Sequence, residues 1–92
     1  MEQKIEIKAN EQELKGSYAN NLMIYHSKEE FILDFINIIP PTGFLVDRII
    51  TNPASLKRIF EALKINIEGY EKQFGKISVS NEPQPNIGFK MQ

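Results

Sequence analysis

The apolar residues of this chain change their spacing at Asn52-Pro53, and this change constrains the fold more than any other feature. After Pro53 they form a single stripe at about 100° per residue. The stripe consists of Leu56, Ile59, Phe60, Leu63, Ile67, Tyr70 and Phe74. Asn52 and Pro53 are typical of a helix start and Gly75 of a helix end. The pattern predicts one amphipathic helix from Pro53 to Phe74, about 33 Å long.

Before Asn52, the apolar residues follow the period of β-strands. Four segments alternate or are rich in β-branched and aromatic residues, namely residues 4–8, 17–26, 31–39 and 44–51. Polar or proline-rich stretches separate them and predict turns. We therefore expect an α+β fold, with a four-stranded antiparallel β-meander followed by one long amphipathic C-terminal helix and a flexible tail.

The last residues differ in composition from the rest. Residues 81–92 contain two prolines and few apolar residues, which is typical of a disordered terminus. Ile87, Phe89 and Met91 alternate, so ordering on a partner as an added strand is the alternative. We expect a single domain over residues 1–80 and a disordered or partner-ordered tail over residues 81–92.

Both faces of the predicted sheet are apolar. If His26 pairs with Phe31 in the second hairpin, one face carries Leu22, Ile24, Phe31, Leu33, Phe35, Ile39, Leu45 and Ile49. The other face then carries Met23, Tyr25, Ile32, Ile36, Ile38, Phe44, Val46 and Ile50. An antiparallel sheet covered on one side normally keeps its other face polar. The predicted helix has one apolar stripe and can cover one face only.

A second copy of the chain is the simplest cover for the remaining face. If some eight large side chains stayed exposed to water, the lost free energy of burial would be on the order of 10 kcal/mol, which is comparable with the free energy of unfolding of a small domain. The sequence therefore predicts a homo-oligomer, with a dimer favoured, and the second face as its contact surface. The alternative is a different register, or a more hydrated face marked by Tyr18, Asn20 and Asn21.

Asp34 and Arg48 are predicted to lie opposite each other across two strands. In that register Ile36 meets Val46, and Ile38 meets Phe44 across a five-residue loop over residues 39–43. A charge pair on an apolar face is costly unless its hydrogen bonds are satisfied. We interpret the pair as a cross-strand ion pair that fixes the register. A polar contact point for a partner is the alternative.

No grouping of residues typical of an active site is evident. His26 is the single histidine, and the chain has no cysteine, whereas zinc sites usually take three or more His, Cys or carboxylate ligands. We predict no catalytic residue, no cofactor and no metal site, and we do not expect an enzyme. A metal or proton-transfer role for His26 beside Glu29 and Glu30 is the alternative.

The charge and the hydropathy of the chain indicate which classes of partner it is expected to bind. Lys and Arg number 11 against 12 Asp and Glu, giving a net charge of −1, whereas nucleic-acid binders usually carry a basic excess. No apolar run approaches the roughly 20 residues of a membrane helix. No secretory signal pattern is present at the N-terminus. We expect no nucleic acid and no membrane partner, a cytoplasmic location, and a protein or peptide as the alternative partner.

Several short strings resemble the signature of a small prokaryotic family of unknown function. They include Tyr18-Ala19-Asn20, Glu30-Phe31, Leu33-Asp34-Phe35, Asn52-Pro53, Tyr70-Glu71 and Phe74-Gly75. The resemblance covers about residues 16–77, and it implies no activity. The chain has Asn52-Pro53 where that signature has Ser-Pro, and Asn can cap the helix equally well.

The predicted topology is also similar to that of the SecB-type export chaperones, which are oligomers. That likeness implies, by analogy alone, a surface for extended polypeptide segments. The sequence thus favours a non-enzymatic, self-associating interaction domain or subunit. A chaperone-like binder of extended or unfolded segments is the alternative.

Overall fold

The computed structural model describes residues 2–79 and shows an α+β protein. The elements in chain order are α1 (Glu11–Lys15), β1 (Asn21–His26), β2 (Phe31–Ile39), β3 (Thr42–Thr51) and α2 (Pro53–Phe74). The strands form one antiparallel sheet in the order β1-β2-β3. The chain divides into two compact units, and the second begins at Phe60.

The prediction of four strands is wrong, because the described residues form three. Residues 4–8 are irregular, and Ile5 and Ile7 are exposed. Their alternation with Lys and Glu has the period of a strand. A strand, however, also needs a neighbouring edge that accepts its hydrogen bonds. Alternation in the sequence shows that a segment has the period of a strand, but it does not show whether a neighbouring edge is available.

The polar stretch predicted as a turn contains the short helix α1. The Asn10 side chain accepts a hydrogen bond from the Glu13 N–H at 2.8 Å, and the Glu13 carboxylate accepts one from the Asn10 N–H at 3.1 Å. This reciprocal capping box starts the helix. Gly16, with φ of 76°, ends it in a conformation that favours glycine.

Strand β1 begins at Asn21, four residues after the start of the predicted segment 17–26, and Asn20 before it joins the sheet chiefly through its side chain. The Asn20 Oδ1 accepts from the Ile38 N–H at 2.8 Å, and its Nδ2 donates to the Ile38 carbonyl at 3.0 Å. Its backbone N–H donates to the Ile36 carbonyl. The Asn20 amide thereby takes the place of a peptide group at this end of the sheet.

The β1–β2 hairpin has the predicted register. His26 pairs with Phe31, and their rings lie 5.6 Å apart. Residues 27–30 connect the strands, and the Ser27 N–H donates to the Glu30 carbonyl at 3.0 Å. In this register Leu22 lies beside Phe35 on one face of the sheet, and Met23 lies beside Asp34 on the other.

The β2–β3 hairpin differs from the prediction in its turn and in its register. Ile39 pairs with Thr42, so the connection is Pro40-Pro41, joined by a cis peptide, rather than the five-residue loop. A β-bulge then shifts the register between Phe35 and Ile36. A bulge places two residues of one strand opposite one residue of the other, so it exchanges the faces of all residues beyond it.

Helix α2 has the predicted bounds and caps. The Asn52 Oδ1 accepts from the Ser55 N–H at 2.7 Å, and Pro53 is the first helical residue. Gly75 follows the helix with φ of 97°, and its N–H donates to the Glu71 carbonyl at 2.9 Å. These are the local signals from which the helix was predicted.

Among the described residues, burial is concentrated in the middle strand. Leu33 and Ile36 are buried, and the Asp34 side chain is completely enclosed. A strand with a neighbour on each side is shielded along both edges, so its side chains lose the most solvent contact. Many other large apolar side chains remain exposed.

Candidate interaction surface

The sheet of residues 21–51 is apolar on both faces, as its strand register shows. We call the first surface the Met23 face, and its members are Met23, Tyr25, Ile32, Asp34, Ile36, Ile38, Leu45, Arg48 and Ile50. We call the second the Leu22 face, and its apolar members are Leu22, Ile24, Phe31, Leu33, Phe35, Ile39, Phe44 and Ile49. The sequence inference of a two-sided apolar sheet therefore agrees with the register of the three strands.

One residue of the candidate oligomer face lies on the wrong side of the sheet. Phe44 was predicted opposite Ile38 on the Met23 face, but it pairs with Asn37 on the Leu22 face. Leu45, predicted on the other surface, pairs with Ile36 and joins the Met23 face. The bulge causes this exchange, because it adds one residue to β3 without adding one to β2.

Val46 is the extra residue of the bulge and pairs with no residue of β2 in the register. It lines a cleft together with Phe35 and Ile49 of the Leu22 face. Ile36 therefore meets Leu45 instead of Val46. The other six residues of the candidate face, namely Met23, Tyr25, Ile32, Ile36, Ile38 and Ile50, lie together on the Met23 face.

Asp34 and Arg48 form a two-pronged ion pair at the centre of the Met23 face. The Arg48 Nε donates to the Asp34 Oδ1 at 2.7 Å, and the Nη2 donates to the Oδ2 at 2.8 Å. Asp34 has no exposed surface, whereas the Arg48 side chain is 49% exposed. The planar guanidinium matches the geometry of a carboxylate, so this pairing is directional as well as attractive.

The ion pair changes how both groups titrate. The hydrogen bond from Arg48 lowers the pKa of Asp34 below its ordinary value of 3.8, against the opposing effect of desolvation. The same hydrogen bond raises the pKa of Arg48. Asp34 therefore stays ionised at neutral pH although water does not reach it. A lone buried carboxylate in this position would be costly.

A hydrogen bond between neighbouring residues of β3 stabilises the bulge beside this ion pair. The Arg48 N–H donates to the Asp47 Oδ1 at 2.9 Å. Asp47 pairs with Phe35 on the Leu22 face, and its carboxylate satisfies a backbone donor where the ladder is interrupted. Asp47 was not singled out from the sequence, because nothing in the local pattern indicates that a bulge begins there.

The Leu22 face has a segment of its own chain beside it. Gln12, Glu13 and Gly16, from α1 and its end, line a cleft of about 540 Å³ with Phe35 and Val46. Its walls contain one acidic residue from α1 and one from β3, Glu13 and Asp47. Segment 11–19 thus gives the Leu22 face a neighbour within the first unit.

The candidate metal or proton-transfer residue His26 is exposed at the end of β1, against the ring of Phe31. Within residues 2–79, no three His, Cys, Asp or Glu side chains converge as a metal-binding group. Glu29 and Glu30 lie in the turn after His26 and are exposed. The predicted tail, residues 81–92, lies outside the described residues, and the single domain over residues 1–80 stays a prediction.

Among the described helices, none is long and apolar enough to cross a membrane. The described part of the chain defines a class: small α+β proteins in which an apolar three-stranded meander precedes one long helix.

The chain belongs to DUF3467, a family of proteins of unknown function, whose family model matches residues 1–79. The resemblance to an uncharacterised family is thereby confirmed. No curated protein and no solved structure matches the chain.

Proposed function

We propose that this protein is a non-enzymatic interaction domain that associates with a second copy of itself through the Met23 face. The observation that carries the proposal is the apolar character of both sides of a three-stranded sheet. On the Met23 face, Tyr25, Leu45 and Ile50 are exposed although they are large and apolar. A sheet with one hydrated side would place polar residues at these positions.

The Met23 face is favoured over the Leu22 face for two reasons. Segment 11–19 already lies beside the Leu22 face. Both faces carry exposed apolar residues, but the Met23 face combines them with a half-exposed arginine whose carboxylate partner is fixed. Arginine is enriched in protein interfaces, because its apolar stem packs while its head donates hydrogen bonds.

The expected strength of this contact is modest. Tyr25, Leu45 and Ile50 keep between 37 and 58% of their surface exposed, so burying this remaining surface yields about 1 kcal/mol per side chain. A two-fold dimer contains two sets, which gives about 6 kcal/mol. That sum lies at the lower end of the cost of association, roughly 4–15 kcal/mol. The sheet contact alone would therefore be weak.

Neighbouring residues on opposite faces provide a matched test. Leu45 is 48% exposed on the Met23 face and Phe44 is 56% exposed on the Leu22 face. We expect Leu45→Asp to place charge in the contact and produce monomers, whereas Phe44→Asp stays associated. Sedimentation equilibrium from 1 to 100 µM measures both variants beside the wild-type chain.

The wild-type chain is expected at about twice its mass of 10.6 kDa at the upper concentrations. A wild-type monomer at 100 µM would contradict self-association. Dissociation by Phe44→Asp, with Leu45→Asp still associated, would instead place the contact on the Leu22 face. Far-UV circular dichroism of both variants distinguishes loss of association from loss of folding.

The chaperone-like alternative shares the exposed apolar surface but loses its topological basis, because the described sheet has three strands rather than four. It makes a separate prediction. A chaperone would bind a fluorescent apolar dye and suppress the aggregation of an unfolded client protein at equimolar ratio. A self-associating domain has its Met23 face covered by its own copy, so its dye binding per chain should fall as the protein concentration rises into the range of association, and it would not suppress aggregation.

A further inference from the structure

Six large apolar residues of α2 have the spacing of a coiled-coil seam, and all of them except the half-buried Leu56 are exposed. They are Leu56, Phe60, Leu63, Ile67, Tyr70 and Phe74, separated alternately by four and three residues. We call them the α2 seam. In heptad terms Phe60, Ile67 and Phe74 occupy a positions, and the other three occupy d positions. This alternation favours packing of one helix against another at a small crossing angle.

The α2 seam is large enough for a specific contact. From Phe60 to Phe74 its five side chains are between 49 and 66% exposed. At roughly 150–250 Å² per large side chain, each helix presents about 400–700 Å² of surface. A standard protein interface takes about 800 Å² from each partner. The seam would thus supply most of such an interface, where the Met23 face alone supplies little.

We propose that α2 pairs antiparallel with α2 of a second copy of this chain, seam against seam. The proposal rests on the self-association proposed above and names a second contact. Centred on residue 65, an antiparallel pair places each a residue against a d residue of the copy. The pairs are Leu56 with Phe74, Phe60 with Tyr70, and Leu63 with Ile67.

The charges that flank the α2 seam favour the antiparallel direction. The e positions hold Lys57, Lys64 and Glu71, and the g positions hold Ile59, Asn66 and Gln73. A parallel pair brings e residues against g residues, which here are uncharged. An antiparallel pair brings e against e, so each Lys57 meets a Glu71 of the copy. The seam therefore forms two attractive pairs in one direction and none in the other.

Lys64 is the one repulsive element of this arrangement. It lies at the middle of the helix, so in the antiparallel pair it faces its own copy across the two-fold axis. Replacing it with an uncharged residue removes that repulsion. We therefore expect Lys64→Gln to lower the dissociation constant of the dimer roughly 2- to 5-fold. In a chain whose α2 is unassociated, the same substitution leaves the oligomeric state unchanged.

Two isoleucines on opposite sides of α2 give the decisive comparison. Ile67 lies in the seam, and Ile65 lies about 160° away around the helix and is 64% exposed. We expect Ile67→Asp to raise the dissociation constant of the dimer at least about 100-fold, because it places a charge in the contact twice. Ile65→Asp should leave it within about 3-fold of wild type. Sedimentation equilibrium measures both, and circular dichroism monitors the helix.

Charge reversal tests the direction of pairing. Lys57→Glu gives a chain with acidic residues at 57 and 71, and Glu71→Lys gives a chain with basic residues at both. Each variant alone is expected to associate roughly 5- to 30-fold more weakly than wild type, since like charges then meet. A mixture should form a heterodimer of near wild-type affinity, detected by native mass spectrometry.

The Glu71 carboxylate also accepts a hydrogen bond from the Ile77 N–H at 2.9 Å, so replacing Glu71 perturbs the end of the helix. The mixture controls for this effect, because it contains the same two chains as the separate samples. If the mixture associates no better than either variant alone, the antiparallel pairing is wrong. Equal effects of Ile65→Asp and Ile67→Asp would refute the seam contact altogether.

The outcomes separate this inference from the proposed function. A wild-type monomer at 100 µM overturns both. A dimer that survives Ile67→Asp but dissociates with Leu45→Asp retains self-association through the Met23 face and rejects the α2 seam. Dissociation by Ile67→Asp with Leu45→Asp still dimeric retains the seam and rejects the sheet contact. If Ile67→Asp and Leu45→Asp each dissociate the dimer on their own, a single dimer uses both the α2 seam and the Met23 face.

Discussion

Asn20 joins the sheet through its side chain and its backbone N–H, and replacing the side chain isolates the value of the first connection. Asn20→Ala removes the acceptor for the Ile38 N–H and the donor to the Ile38 carbonyl. It also removes the oxygen that accepts from Asn21 Nδ2 at 3.0 Å. No apolar contact of the core is expected to change, because Asn20 is exposed.

The expected loss follows from the number and placement of these bonds. A hydrogen bond within a protein contributes about 0.5–1.5 kcal/mol net, because unfolding exchanges it for bonds to water. Two bonds reach the half-buried Ile38, and the exposed site lets water replace part of them. We therefore expect Asn20→Ala to lower the free energy of unfolding by about 1–2 kcal/mol.

Urea unfolding followed by far-UV circular dichroism measures this loss at one fixed protein concentration, because association would add its own stability. Amide exchange at Ile38 gives a local measure, and its protection should fall about 10-fold or more. Asn20→Asp is the comparison: it keeps the acceptor and loses the donor, and its deficit should shrink below about pH 4 as the carboxyl regains a proton. An Asn20→Ala chain within 0.3 kcal/mol of wild type, or unchanged Ile38 exchange, would refute the assigned role of Asn20.

Three further outcomes follow from the caps and charges. Asn52→Ala leaves the Ser55 N–H without its acceptor and should cost about 1 kcal/mol in urea unfolding, whereas Asn52→Ser should cost a few tenths. Because Arg48 lowers the pKa of Asp34 in the folded chain, this carboxylate stabilises the fold above about pH 4 and progressively loses that effect on acidification. Asp34→Asn should be less stable at pH 7 and show a shallower stability profile between pH 5 and 2; an unchanged profile would contradict the assignment. Asp47→Ala should cost about 0.5–1.5 kcal/mol by removing the acceptor at the bulge, with loss of protection confined to the Arg48 amide and its neighbours.

Features that depend on neighbouring residues in the sequence could be predicted. The bounds of α2 follow from Asn52-Pro53, a continuous apolar stripe and Gly75, which act within one or two turns. The pairing of His26 with Phe31 follows from a short connection that leaves little freedom in register. The Asp34–Arg48 pair was anticipated although it lies beyond the bulge when counted from the turn. The connection is shorter than predicted, and the extra residue Val46 restores the predicted register at this pair.

Features that depend on distant partners could not be predicted. The alternation of residues 4–8 shows that a strand would have a coherent face, but it cannot show whether a sheet edge is available. The bulge at Val46 has no local signature, so Phe44 and Leu45 were assigned to exchanged faces. The α1 helix is the exception. Its Asn10-x-x-Glu13 capping box was readable from the sequence and was missed because the stretch is polar and short.

Val46 is an insertion that the sheet absorbs without loss of pairing. A deletion of Val46 would remove the bulge and leave a regular ladder, with Leu45 still opposite Ile36 and Phe44 still opposite Asn37. Both faces of the sheet would keep their residues, and the cleft beside the Leu22 face would lose one apolar side chain. A one-residue gap at Val46 in an alignment of related proteins would therefore mark a straightened edge strand whose surfaces are unchanged.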